Sequence, residues 1–112
     1  MGYCRAVRVG DRIFVAGTAP IMPEGADPPP DSYGQTKRCL EIIAGALAEA
    51  GSRFEDVVRT RGYLIGPTHF EGYARAHGEA FAEVRPVNTT VVAALLDPRW
   101  LVEIEAEAVV AG

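Results

Sequence analysis

Apolar positions along this chain fall into short alternating runs and two helical stripes. Cys4 to Val9 alternates weakly, Gly10-Asp11 supplies turn chemistry, and Arg12-Ile13-Phe14-Val15-Ala16 reads as a second strand. Two strands joined by Gly-Asp predict a hairpin. Residues 17–31 hold Gly17, Gly25 and five prolines (Pro20, Pro23, Pro28, Pro29 and Pro30), which predicts a long loop with at most a short edge strand. Ser32-x-x-Gln35 predicts a capping box, and Leu40, Ile43 and Leu47 continue at helical spacing until Gly51. A strand follows over Val57 to Ile65, ended by Gly66-Pro67. Thr68-x-x-Glu71 predicts the cap of a second helix, with the stripe Phe70, Tyr73, Ala74, His77 and Phe81. Pro86 precedes the apolar run Val87 to Leu96, an Asp97-Pro98 turn follows, and Leu101 to Val110 is the last strand.

The order β-β-α-β-α-β-β predicts an α+β fold with two helices against one mixed sheet. In the last strand Glu103, Glu105 and Glu107 share one face, while Val102, Ile104, Ala106 and Ala108 share the other. The apolar face must meet the helices, so the glutamates point away from the core. For Glu105 and Glu107 a solvated face is as good a reading as a functional one.

Composition narrows the class. At 112 residues, 48% hydrophobic and 23% charged, the chain predicts one globular domain over residues 1–112. No apolar run reaches the ~20 residues of a membrane span, and the first residues lack a signal-peptide pattern. A net charge of −4 argues against a general electrostatic grip on nucleic acid. Cys4 and Cys39 have no metal-ligand or redox spacing, so reduced thiols in a cytoplasmic protein are the simplest reading.

Four segments, in order along nearly the whole chain, carry a family resemblance. They are Gly2 to Gly17, Cys39-Leu40-Glu41-Ile42-Ile43 through Ala50-Gly51, Asp56-Val57-Val58-Arg59-Thr60 with Tyr63-Leu64, and Val102-Glu103-Ile104-Glu105-Ala106-Glu107-Ala108. Together they resemble the RidA (YjgF) family, also called the L-PSP endoribonuclease family. The resemblance implies a chorismate-mutase-like α+β subunit, three of which pack their sheets into a central β-barrel. It implies a homotrimer with small-molecule clefts between neighbours, and with partner subunits covering the sheet face that the helices leave open. On this view Val91 to Leu96 is a strand buried on both sides, which a lone subunit would expose in part.

The resemblance also implies an activity: hydrolysis of enamines and imines to a carbonyl product and ammonia, without a cofactor. Carried over by position, Glu103 is the catalytic glutamate that positions water, Tyr3 the pocket tyrosine, and Gly17-Thr18 the loop that shapes the pocket. The family's Pro-Ala-Arg, whose arginine clamps a substrate carboxylate, reads Pro86-Val87-Asn88 here, followed by Thr89-Thr90. Losing such a charged contact costs about 2–5 kcal/mol when the partner charge is buried, so a non-standard specificity is expected. Asn88 and Thr90, which stands where many members carry Cys, become substrate-binding candidates. Arg61 is either paired with a surface or interface carboxylate or serves as a substitute clamp and polar partner for Asn88. Glu103 is either a general acid/base or a structural anchor for Tyr3 or a backbone amide.

The remaining candidates favour plain readings. His77 is expected to be packed and hydrogen-bonded, His69 solvated, Cys4 inert and Trp100 a packing residue at a turn. No metal site and no cofactor are expected. Three functions stay in view: the imine- or enamine-hydrolysing enzyme, a non-catalytic metabolite-binding trimer, and, least favoured, an endoribonuclease.

Overall fold

The computed structural model describes residues 1–111. Strands β1 (Ala6–Val9) and β2 (Arg12–Thr18) form the expected hairpin, with Val9 opposite Arg12 and Gly10 at a φ of 62° in the two-residue turn. Helix α1 (Ser32–Glu49) ends at Gly51, whose φ of 83° lets the chain close a Schellman turn. There Gly51 N–H donates to Ala48 and Ser52 N–H to Leu47. Strand β3 (Val57–Leu64), helix α2 (Phe70–Phe81), β4 (Val87–Val92) and β5 (Val102–Val109) complete the order read from the sequence.

The sheet runs β1-β2-β5-β3-β4, so the last strand in sequence is the middle one in space. β5 is antiparallel to both neighbours, and only the β3–β4 pair is parallel. Its alternation is the one expected: Val102, Ile104, Ala106 and Ala108 are buried, and the glutamates between them are half-buried. The buried row packs with Ile13, Val15 and Leu64 against Leu40, Ile43 and Leu47 of α1 and Tyr73 and Phe81 of α2. At ~1.5–3 kcal/mol per large side chain removed from water, this one-sided core is the main stabilising layer. No helix among the described residues is long and apolar enough to cross a membrane.

Both predicted caps need correction. The N-cap of α1 is Asp31, whose carboxylate accepts from Gly34 N–H at 2.7 Å. Gln35 does not close a capping box because its buried carboxamide is taken by tertiary partners. It accepts from Leu101 N–H at 2.8 Å and donates to the carbonyls of Pro29 and Arg99, both at 2.9 Å. Ahead of α2, Thr68 lies inside a 3-10 turn (Pro67–His69) that runs straight into the helix, and no side chain caps it. The extended residue that a cap requires is Gly66, which has no side chain to offer.

Two apolar expectations also change. Phe70 and Ala74 are exposed, because α2 meets the sheet along Tyr73, Ala76 and Phe81 with His77 half-buried beside them. β4 stops at Val92, and residues 93–96 leave the sheet, with Leu96 almost fully exposed. In the single chain β4 is an edge strand, with Val87, Val91 and Val92 in contact with solvent.

Gln35 is expected to tie the proline-rich loop and the entry to β5 onto α1. Gln35→Leu leaves one N–H and two carbonyls without their partner, and should lower stability in urea unfolding by about 2–4 kcal/mol. A loss below about 0.5 kcal/mol, within ordinary surface variation, would count against that role.

Candidate functional site

The face of the sheet turned away from the helices carries a ladder of opposite charges. Register sets Arg61 opposite Glu105 and Arg59 opposite Glu107. The Arg61 guanidinium lies 3.5 Å from Glu105 and 3.6 Å from Glu107, and Arg59 lies 4.0 Å from Glu107. Tyr63 donates its phenol proton to Glu105, which holds that phenol's pKa above its usual value. These partly exposed pairs are worth at most about 1 kcal/mol each. Within one chain Arg61 pairs with carboxylates, the first of the two readings given above, and it sits on the opposite sheet face from Asn88, so the alternative contact with Asn88 does not form there.

Glu103 stands apart from this ladder. β2 carries an irregularity between Val15 and Thr18, where three steps on β2 match two on β5. Such a bulge turns local side chains away from strict alternation and is frequent beside functional sites. Here it buries both Val15 and Thr18 and brings Gly17 under the Glu103 carboxylate. A Cβ at position 17 would stand 3.1 Å from Oε1 of Glu103, so any side chain there would push the carboxylate aside by a few tenths of an ångström. Arg5, just before β1, braces the bulge, donating from Nη1 to Gly17 O at 3.2 Å and to Thr18 Oγ1 at 3.1 Å. Thr18 passes its own proton to Ala16 O at 2.8 Å. Burial raises the Glu103 pKa, the positive charge of Arg5 opposes that rise, and Glu105 adds to it.

A second polar cluster lies across the sheet, on the helix side of β3 and β4. Thr60 is opposite Asn88, and Thr90 is opposite Gly62. The absence of a side chain at Gly62 lets the Tyr73 ring lie flat over the strand, since a Cβ there would come within 2.6 Å of the ring. The Tyr73 phenol then reaches Asn88 Oδ1 at 2.7 Å, and Thr60 Oγ1 donates to the same oxygen at 2.9 Å. Asn88 Nδ2 donates to Thr90 Oγ1 at 2.8 Å, and His77 Nε2 lies 2.8 Å from Thr60 Oγ1. Burial pushes the Tyr73 pKa up to about 12, with the nearby hydroxyls of Thr90 and Thr60 opposing, and it lowers the His77 pKa. Both side chains are therefore neutral near neutral pH. His77 is the packed, hydrogen-bonded residue its position on the stripe predicted.

The sequence-derived site thus divides in two within one chain. Glu103, Gly17 and Thr18 gather along β2 and β5, and Asn88 and Thr90 sit on the far edge strand and the other face. Tyr3 precedes β1 in irregular backbone, 62% exposed, and its hydroxyl makes no hydrogen bond among the described residues. Sequence reasoning missed Arg5 and Thr60. Arg5 had a signal: continuing the hairpin register by one step sets it opposite Ala16, beside Gly17, and Ala16 N–H does donate to Arg5 O at 2.9 Å. Thr60 had none, because its role depends on which strand pairs with β4.

Comparison with known proteins places this geometry. The sequence profile of the family described as Endoribonuclease L-PSP matches residues 1–110. An uncharacterised protein of Streptomyces coelicolor is 42% identical over 108 residues, covering 96% of this chain and 81% of the relative. The 2-iminobutanoate/2-iminopropanoate deaminase of Escherichia coli is 26% identical over 114 residues, covering 96% of this chain and 86% of that enzyme. Among solved structures, a YjgF-family protein from Mycobacterium tuberculosis superimposes with a TM-score of 0.88 at 41% identity, covering 97% and 87% of the two chains. The mixed sheet with two helices on one face is the fold these relatives share. Sequence profile, relatives and architecture agree, and the chain belongs to the RidA (YjgF, L-PSP endoribonuclease) family.

Proposed function

We propose that three copies of this chain assemble around their open sheet faces and that the clefts between them hydrolyse an enamine or imine, releasing ammonia. The observation that carries this reading is the Glu103 carboxylate, half-buried against Gly17 with its pKa raised. A carboxylate so placed is matched to proton transfer nearer neutral pH than a solvated one. Glu103 takes a proton from a water molecule as the water oxygen bonds to the C=N carbon, and passes that proton to the imine nitrogen. The resulting carbinolamine then breaks its C–N bond as its hydroxyl oxygen forms the C=O bond. Glu103 takes the hydroxyl proton and delivers it to the departing nitrogen, leaving a carbonyl compound and ammonia.

Two further observations support the reading. The deaminase named above is a relative over nearly its full length. The candidate residues lie on two faces of the sheet, which fits a cleft completed by a second subunit, and the exposed apolar side chains of β4 and the half-exposed charge ladder give neighbours a surface to cover. The free thiols Cys4 and Cys39 suit a reducing, cytoplasmic setting. Asn88 favours a second reading, a metabolite-binding trimer without turnover, because a neutral amide replaces the charged clamp. Ammonia release separates the two.

With a panel of imines generated in situ, the wild-type protein is expected to release ammonia, and Glu103→Gln to lose at least about a hundredfold in rate while keeping its oligomeric mass. No difference between them on any substrate sinks the enzymatic reading.

The raised pKa also fixes the sign of a stability effect. A folded-state pKa above the unfolded value contributes stability below the ordinary glutamate pKa of about 4.3, and that contribution is lost as pH rises through the raised value. Glu103→Gln is therefore expected to raise the melting temperature relative to wild type at neutral pH more than in acid. A structural anchor that needs its negative charge gives the reverse.

Two substitutions around Glu103 test the brace. Arg5→Gln removes the opposing cation, so the acid limb of the rate profile moves to higher pH. Gly17→Ala pushes the flexible carboxylate end aside by a few tenths of an ångström, and is expected to lower turnover with little change in melting temperature. Unchanged profiles in both variants would show that neither residue positions Glu103.

A further inference from the structure

The cluster around Asn88 has a fixed hydrogen-bond polarity, and polarity selects ligands. Tyr73 is 99% buried, with 1% of its surface exposed, and Thr60 is fully buried, so each hydroxyl proton needs an acceptor inside the protein. Both donate to Asn88 Oδ1, at 2.7 and 2.9 Å, which occupies both lone pairs of that oxygen. The Thr60 oxygen is then free to accept from His77 Nε2 at 2.8 Å, which selects the Nε2–H tautomer of a neutral imidazole. Turning the Asn88 amide over would aim two N–H groups at Thr60 and Tyr73 and take away the oxygen to which both hydroxyls donate. With His77 in its Nε2–H tautomer, the two hydroxyls hold the amide in this orientation from inside.

Locking one end of the amide fixes what the other end presents. Asn88 is exposed, and its Nδ2 has two hydrogens, of which one goes to Thr90 Oγ1 at 2.8 Å. Because Thr90 accepts that hydrogen, its own proton is available to donate. The outward edge of β4 therefore offers two neutral donors, one from Asn88 and one from Thr90. Arg61 lies on the other sheet face, held by Glu105 and Glu107.

We infer that the Asn88–Thr90 edge binds an uncharged carbonyl oxygen of the substrate, such as that of an amide or ester, in preference to a carboxylate. A carbonyl oxygen has two lone pairs and takes both donors. A carboxylate can accept the same bonds, but it leaves its water shell without gaining an opposite charge. Tyr73, Thr60 and His77 act through Asn88 as positioning residues. The inference rests on the imine-hydrolysing cleft proposed above, and it names the substrate as an imine or enamine of a 2-oxo amide or ester. Hydrolysis then gives the 2-oxo amide or ester and ammonia, with the amide or ester bond untouched.

Calorimetric titration of the protein with pyruvamide, methyl pyruvate and pyruvate tests this without needing turnover. The expected result is pyruvamide and methyl pyruvate bound at least about tenfold more tightly than pyruvate, about 1.4 kcal/mol. Asn88→Arg is expected to reverse that order. Asn88→Asp, which sets an acceptor against the ligand's acceptor, is expected to lose methyl pyruvate, which has no hydrogen to donate. Tyr73→Phe frees the amide to turn over and should narrow the preference between pyruvamide and pyruvate, a ratio that a purely structural loss leaves unchanged. Pyruvate bound as tightly as pyruvamide, or wild-type protein binding none of the three, overturns the inference. If pyruvate is preferred while Glu103→Gln abolishes ammonia release, the inference fails and the hydrolase reading stands. If pyruvamide is preferred while no imine yields ammonia, the donor edge stands and the hydrolase reading fails.

Discussion

Side chains on a strand leave it alternately to either side, and β5 sits in the middle of the sheet with a different task on each side. Its even-numbered residues from Val102 to Ala108 are buried under α1 and α2, and its odd-numbered glutamates face the other way. A shift of register by one residue would exchange the two rows and place three carboxylates in an apolar core. The cost of burying such charges fixes the register, and the register places everything else. Glu105 and Glu107 meet the arginines of β3, and Glu103 meets the bulge of β2. The catalytic candidate is thus positioned by the same constraint that builds the core.

Two irregularities then separate Glu103 from its row. The β2 bulge replaces a side chain with the bare backbone of Gly17, and Arg5 reaches across the hairpin to hold that backbone in place. Glu103 therefore sits in a partly dry site where burial and a nearby cation pull its pKa in opposite directions. Glu105 and Glu107 lie instead in a ladder of opposite charges, facing Arg61 and Arg59. Three identical side chains on one strand face thus acquire different chemistry from their neighbours on adjoining strands.

Much of this was legible in the chain itself. Period-two alternation in Val102–Val109 gave the faces of β5, and Gly10-Asp11 gave the hairpin, because both are local patterns. The caps were misread because a spacing rule cannot tell that the Gln35 carboxamide is claimed by Leu101, Pro29 and Arg99, residues distant in sequence or lying in the loop before the helix. The apolar run after Pro86 was drawn four residues too long as a strand, since hydrophobicity alone does not mark where pairing with β3 ends at Leu64 and Val92. The central place of β5 and the cluster around Asn88 arise from non-local pairing. Thr60 meets Asn88 only because β4 lies parallel to β3 in one register, and no short-range pattern records it.

Gly62 shows how far one missing side chain reaches. Any larger residue there collides with the Tyr73 ring, so the bare backbone at this point of β3 is what lets the phenol reach Asn88. A side chain at position 62 would lift the ring off the strand and take away one of the two hydrogen bonds held by the Asn88 oxygen. The choice of ligand proposed for that edge would then rest on a contact that no ligand touches.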